Sequence, residues 1–193
     1  GHVDLRKQLP SAVLSAIGGG LGALLATVVP GEWMRALLPV LLVAIAVYFA
    51  FKPNMDDIDR HQRISPALFG FTMVPAIGLY DGLFGPGTGS FFMLAYVSLL
   101  GYGVLKATAH TKLLNFGSNV GSIIVFVLAG AVVWKVGLLM GVSQFAGARL
   151  GASIAMRVGA KLIKPLLVLT CVALAIRLML DPINPLRIYL GLS

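Results

Sequence analysis

Apolar runs without a single Asp, Glu, Lys or Arg recur along the chain, at residues 9–29, 36–51, 64–80, 82–105, 113–134, 136–148 and 165–176. A helix needs roughly 20 mostly apolar residues to cross a bilayer core. Several runs have that length, and the shorter ones reach it if a terminal Lys or Arg bends its charge back to the interface. The pattern predicts an all-α polytopic membrane protein. It divides into two helices over 1–53, a charged loop over 54–65, a broken helical hairpin plus three further spanning helices over 66–181, and a tail over 182–193.

The least regular part is the break between runs three and four. Residues 78–90 read Gly-Leu-Tyr-Asp-Gly-Leu-Phe-Gly-Pro-Gly-Thr-Gly-Ser, with Asp81 the sole charge between residues 64 and 105. Lipid cannot satisfy loose backbone groups, so a broken helix at membrane depth is buried in protein or lines a polar cavity. Residues 66–105 would reach ~60 Å as one helix, twice a ~30 Å hydrocarbon core. They are therefore expected to go in and come back.

Charge placement supports this. With an in-and-out hairpin, Arg6, Lys7, Lys52, Arg60, Arg63, Lys106, Lys112, Arg157, Lys161 and Lys164 fall on one side, and Arg35, Lys135 and Arg187 on the other. With a single crossing the same residues divide almost evenly. The strong bias marks the first side, with loop 54–65, as cytoplasmic and the tail as external. It also accounts for the net charge of +8 without a nucleic-acid partner: only 11% of residues are charged and the mean hydropathy is +0.93. The lone Cys171 offers neither a disulfide framework nor a Cys-based metal site. No cofactor is expected.

Two stretches echo each other. Gly18-Gly19-Gly20-Leu21-Gly22-Ala23 parallels Gly147-Ala148-Arg149-Leu150-Gly151-Ala152, and Arg35-x3-Pro39 parallels Lys161-x3-Pro165. In each, a small-residue helix leads through a basic turn into a helix expected to be opened by proline. With the hairpin topology the two copies run in opposite directions, as in transporters built from inverted repeats. The first half then looks incomplete: a counterpart of the glycine break is expected upstream of Gly1.

Four groups could carry chemistry. Gly85, Gly87, Thr88, Gly89 and Ser90 could present backbone N–H and hydroxyl donors at the start of a helix, which suits an anion; the same glycines could instead only let helices approach closely. Asp81 could carry a coupling proton or act as a structural acceptor. Lys112, Asn115, Asn119 and Ser122 share one helix face by spacing, as substrate donors or as interhelical glue. Arg149 could meet an anion or snorkel to the cytoplasmic side, and His110 reads as an interface residue, since no second ligand stands at metal spacing.

Taken together, Gly-Leu-Tyr-Asp-Gly-Leu-Phe-Gly-Pro-Gly-Thr-Gly-Ser-Phe-Phe (78–92), Lys-Ala-Thr-Ala-His-Thr-Lys-Leu-Leu-Asn-Phe-Gly-Ser-Asn (106–119) and Gln-Phe-Ala-Gly-Ala-Arg-Leu-Gly (144–151) resemble the TauE/SafE family of sulfite exporters, also called the toluene sulfonate uptake permease family. The resemblance implies a secondary transporter in the cytoplasmic membrane for a small, often sulfur-containing anion such as sulfite or a sulfonate. It implies two similar halves, each with a glycine-rich motif at its start. The chain's own residues leave a homodimer open. They leave two rival functions: a non-transporting membrane scaffold, and an enzyme acting on a lipid phosphate, which would need a nucleophile–base or metal constellation.

Overall fold

The computed structural model describes residues 4–51, 58–59, 61–158 and 163–189. Among them are eight helices and no strand: α1 Leu5–Val28, α2 Gly31–Phe51, α3 Pro66–Leu83, α4 Thr88–Leu99, α5 Val104–Leu128, α6 Trp134–Val158, α7 Ile163–Met179 and α8 Pro185–Tyr189. Leu5–Val28, Gly31–Tyr48 and Val104–Leu128 are long and apolar enough to cross a membrane. Of the cations counted for topology, Lys52, Arg60 and Lys161 lie outside the described residues, as do the side chains of Arg157 and Lys164. Residues 54–57 of the loop and 190–193 of the tail lie outside them too.

The helices form two compact units that interleave along the chain, Gly1–Val29 with Asn54–Ala131, and Pro30–Pro53 with Val132–Ser193. In the first, α1, α3 and α5 lie side by side and parallel. Gly18 abuts Pro75, Gly22 abuts Leu79 and Gly82 abuts Gly19, while Gly117 abuts Ala12 and Gly121 abuts Ala16. Contacts are backbone to backbone because glycine leaves no side chain between the axes. Two hydroxyls cross the same seam: Ser15 donates to Leu114 O at 2.7 Å and Ser122 to Gly19 O at 3.1 Å.

The polarity of α1 is that of a helix in lipid. It buries Ala12, Ser15, Gly18, Gly19, Gly22 and Ala23 and exposes Leu9, Val13, Ile17, Leu21 and Leu24. In water such an exposed face would be a large apolar patch. In a bilayer the large side chains gain nothing by leaving lipid, and association rests on close packing of small residues.

Because α3 and α5 are parallel, the chain between them must return, and α4 does so. Arg63 N–H donates to Leu99 O at 2.9 Å, fastening the entry of α3 to the exit of α4. Gln8 Nε2 donates to the Tyr96 hydroxyl at the same end. α3 and α4 thus form a reversing helical pair over residues 66–99.

At that end Asp59 clips the start of α5. Its carboxylate accepts from Gly103 N–H at 2.6 Å and from Lys106 Nζ at 3.2 Å, and the same ammonium lies 3.9 Å from the Tyr102 ring centre. A carboxylate beside a helix N-terminus is favoured by unpaired N–H groups and the dipole. The Gly103 N–H, then Lys106, hold the Asp59 carboxyl below its ordinary 3.8. A depressed folded value means the clip contributes fully above pH 3.8 and is lost as pH falls below that through the folded value. Asp59→Asn should therefore melt slightly below the parent at neutral pH, with the difference vanishing under acid. A difference independent of pH would overturn the clip.

In the second unit α7 packs antiparallel against α2. Pro39 does not open α2, as its spacing suggested, but sits inside it, two turns after Gly31. Proline there cannot bond the carbonyl of Arg35 four residues earlier. Asn184, 2% exposed, supplies the missing donor: its Nδ2 reaches Arg35 O at 3.2 Å and Leu178 O at 2.8 Å. The region read as a tail is thus anchored, and α8 follows it. Gly147 and Gly151 of α6 meet nothing within 4 Å among the described residues.

Candidate functional site

The α3–α4 turn is built by three local choices. Gly85 and Gly87 have φ of +85° and +84°, left-handed values that L side chains avoid. Gly87 caps α4 with no side-chain bond, so no side chain takes up the N–H of Gly89 in its first turn. Pro86, between them, offers no N–H.

The carbonyls of Gly85, Pro86 and Gly87 are all occupied. Tyr80 Oη donates to Pro86 O at 2.6 Å, and Thr88 Oγ1 donates to Gly85 O at 2.7 Å. Gly87 O accepts from Ser90 N–H at 2.9 Å and Phe91 N–H at 3.1 Å. Among the described residues the N–H groups of Gly87 and Gly89 have no protein acceptor. The local electrostatics are those of donors without partners, reinforced by the positive end of α4.

Contacts to α5 fix how deep this lies. Gly89 faces Thr111, with a Cβ built on Gly89 3.9 Å from the Thr111 methyl. Asp81 accepts from Ser118 Oγ at 2.5 Å and Asn119 Nδ2 at 3.5 Å. Thr111 and Ser118 stand ~10 and ~21 Å along α5, a helix ~37 Å long. The hairpin end therefore lies alongside α5 between about 10 and 21 Å from its start, not at either end. α4 has 12 residues against 18 in α3. Discontinuous helices meeting near mid-height are the usual architecture of transporter binding sites.

The predicted site residues divide. Gly85, Gly87, Thr88, Gly89, Ser90, Asp81, Asn115 and Asn119 gather around the turn and the α5 face beside it. Thr88 is buried and spends its proton inside the turn, so its role there is at least structural. Asn115 O accepts from Ser118 Oγ and Asn119 Nδ2, at 3.0 and 2.6 Å. Lys112 is exposed and forms the rim of this face. The face turned inward is 111, 114 and 118, one residue around the helix from the 112, 115, 119 and 122 stripe. His110 is not at the turn: it is 7% exposed, bonds Lys106 O through Nδ1 at 2.9 Å, and lies among Tyr96 and Tyr102, consistent with an interface residue. Arg149 belongs to α6 in the second unit, on an exposed stretch.

Sequence spacing passed over Tyr80, which locks the turn, and Ser118, which holds Asp81. A hydroxyl next to the sole membrane-depth carboxylate was the available signal for Tyr80. Ser118 shares its helix with many similar polar residues and has no such mark. Among the described residues no group of three or more His, Cys, Asp or Glu could hold a metal ion.

Comparison with known proteins agrees with this picture. The family model described as sulfite exporter TauE/SafE matches residues 1–178. The "probable membrane transporter protein ORF9" of Sinorhizobium sp is 65% identical over 191 residues, covering 99% of this chain and 73% of that protein. The "probable membrane transporter protein YfcA" of Escherichia coli K12 is 39% identical over 179 residues, 93% of this chain and 66% of that protein. A "probable membrane transporter protein" of Haemophilus influenzae is 43% identical over 179 residues, 93% of this chain and 70% of that protein. The chain thus spans between about two thirds and three quarters of the length of these relatives. No solved structure matches it. The chain belongs to the sulfite exporter TauE/SafE family and is a multi-pass membrane protein of the transporter class, which in bacteria lies in the inner membrane.

Proposed function

We propose that the complete protein moves a small oxyanion, such as sulfite or a sulfonate, across the cytoplasmic membrane, and that the α3–α4 turn binds it. One observation carries the reading: alongside α5, a left-handed glycine turn has the carbonyls of Gly85, Pro86 and Gly87 tied off and the N–H groups of Gly87 and Gly89 left over. Donors that are fixed before the ligand arrives lose little on binding, and neutral donors hold an anion while letting it leave. The amide face of Asn115 and Asn119 lies next to the turn and would complete the shell. Asp81, one helix turn before Gly85, would carry a proton linked to transport.

The test uses the full-length protein reconstituted in vesicles. Sulfite or methanesulfonate uptake and equilibrium binding are compared for the parent, Gly87→Leu and Asn115→Ala. Gly87→Leu puts a side chain at a left-handed residue and over the anion seat, and is expected to weaken binding at least about tenfold. Asn115→Ala is expected to weaken it by about two- to tenfold. Parent-like binding and transport in both variants would remove the site. A scaffold without a substrate would instead show no thermal stabilisation by any anion.

A further inference from the structure

We infer that Thr111 is a second donor to the same anion: its Oγ1–H and the Gly89 N–H together hold one ligand oxygen. This rests on the anion reading of the turn and names a residue that the sequence motifs did not single out.

Three observations converge on it. Thr111 is 7% exposed, and its hydroxyl is the buried side-chain oxygen left without a partner among the described residues. Leaving such a group unpaired is costly, so native proteins almost always pair it. A threonine inside a helix has an easy remedy, the carbonyl four residues back. Other helical hydroxyls here take it: Thr72 bonds Leu68 O at 2.6 Å, Thr108 bonds Val104 O at 2.7 Å, Thr170 bonds Leu166 O at 2.6 Å and Ser122 bonds Ser118 O at 2.8 Å. Thr111 forgoes that bond at a position where it is as available as at Thr108.

The second observation is where Thr111 stands. It is on the inward face of α5 against the first turn of α4: outside Gly89's own chain neighbours and helix backbone, its methyl is the heavy atom within 4 Å of a Cβ built on Gly89, at 3.9 Å. The hydroxyl thus belongs to a residue in ordinary contact with Gly89, whose N–H also lacks an acceptor. The third is the chemistry. The backbone N–H can only donate, and the Thr111 hydroxyl can turn its proton the same way, so one oxygen bearing negative charge satisfies both. A cation would be opposed by the N–H, and an apolar ligand would leave both groups unpaired.

This makes the site selective for ligands with compact, strongly accepting oxygens, sulfite and sulfonate head groups among them, over halides of similar charge. Asp81 is held at Ser118, ~10 Å further along α5 from Thr111, so the seat and the carboxylate are distinct positions along the same face.

The experiment measures sulfite and methanesulfonate affinity, and ligand-free melting temperature, for the full-length parent, Thr111→Val, Thr111→Ser and Gly87→Leu. Thr111→Val keeps the shape and removes the hydroxyl. It is expected to weaken sulfite binding by roughly ten- to a hundredfold, the range for a lost hydrogen bond to a charged group. Its ligand-free melting temperature should equal or exceed the parent's, since an unpaired buried hydroxyl is removed. Thr111→Ser should bind within about threefold of the parent. Parent-like affinity in Thr111→Val overturns the inference, and so does a lowered ligand-free melting temperature in that variant, which would make the hydroxyl a structural bond. If the parent binds while Gly87→Leu does not, and Thr111→Val is unaffected, the anion turn stands and the role of Thr111 fails. If the folded parent binds neither anion, both fail.

Discussion

Replacing Gly82 with alanine is expected to lower the melting temperature of the detergent-solubilised protein by at least about 6 °C, and much of the variant should fail to accumulate in the membrane. A Cβ at Gly82 would overlap Gly19 O and lie 2.7 Å from Ala23 N. At Gly22, across the same contact, it would overlap Leu79 O. Neither obstacle is a side chain that could rotate away. The α1 and α3 backbones would have to part by about an ångström or more, and the seam runs through Gly18, Gly22, Gly78 and Gly82 without a flexible residue to absorb it. Over-packing of a well-packed core costs about 1–3 kcal/mol, and a backbone-on-backbone contact belongs at the top of that range or above. For chains of this size each kcal/mol is worth about 2–4 °C. Gly31→Ala is the control, because a Cβ there meets nothing within 4 Å and should leave the melting temperature unchanged. A Gly82→Ala protein that melts with the parent would mean that α1 and α3 do not touch as described.

The same seam shows what a one-dimensional reading can reach. Long uncharged runs are a property of a chain crossing a slab, so the all-α class and its helices were legible, and the excess length of residues 66–105 called for the chain reversal seen between α3 and α4. The partners of each small residue were not. Gly18 and Gly147 occupy equivalent positions in the two similar segments, yet Gly18 is pressed against Pro75 and Gly147 meets nothing among the described residues. Spacing says that a face is small, not which helix covers it. Rotation about the helix axis was legible only to within one residue. The stripe 112, 115, 119 and 122 is the rim of the inward face, because Thr111 and Ser118, with short hydroxyls, can be buried where Lys112 cannot. Pro39 misled for a related reason. Proline is usually at a helix start, but here Asn184, 149 residues from Arg35 along the chain, satisfies the carbonyl that the proline frees.

Asp81→Asn is expected to abolish accumulation of anion driven by a pH gradient while leaving anion exchange between equal pools within about threefold of the parent. The expectation comes from how Asp81 is held. Ser118 Oγ and Asn119 Nδ2 both point at its Oδ2, at 2.5 and 3.5 Å, and both also have a second acceptor in Asn115 O, at 3.0 and 2.6 Å. Among the described residues no cation is paired with it. When the carboxyl takes a proton it becomes a donor as well as an acceptor, and the two α5 donors can fall back on the Asn115 carbonyl without being stranded. The tie between the end of α3 and α5 then loosens one helical turn before Gly85, where the anion turn begins. One proton would thereby be linked to the segment proposed to carry the substrate donors, which is what coupling requires. Asparagine at 81 imitates the protonated group and cannot lose the proton, so binding and exchange persist and the gradient has nothing to act on. A purely structural Asp81 gives the opposite pattern: Asp81→Asn would melt lower and lose exchange and gradient-driven accumulation in equal measure. Ser118→Ala separates the two further, since it weakens the tie but leaves a group that can titrate, and should lower stability while gradient-driven accumulation continues.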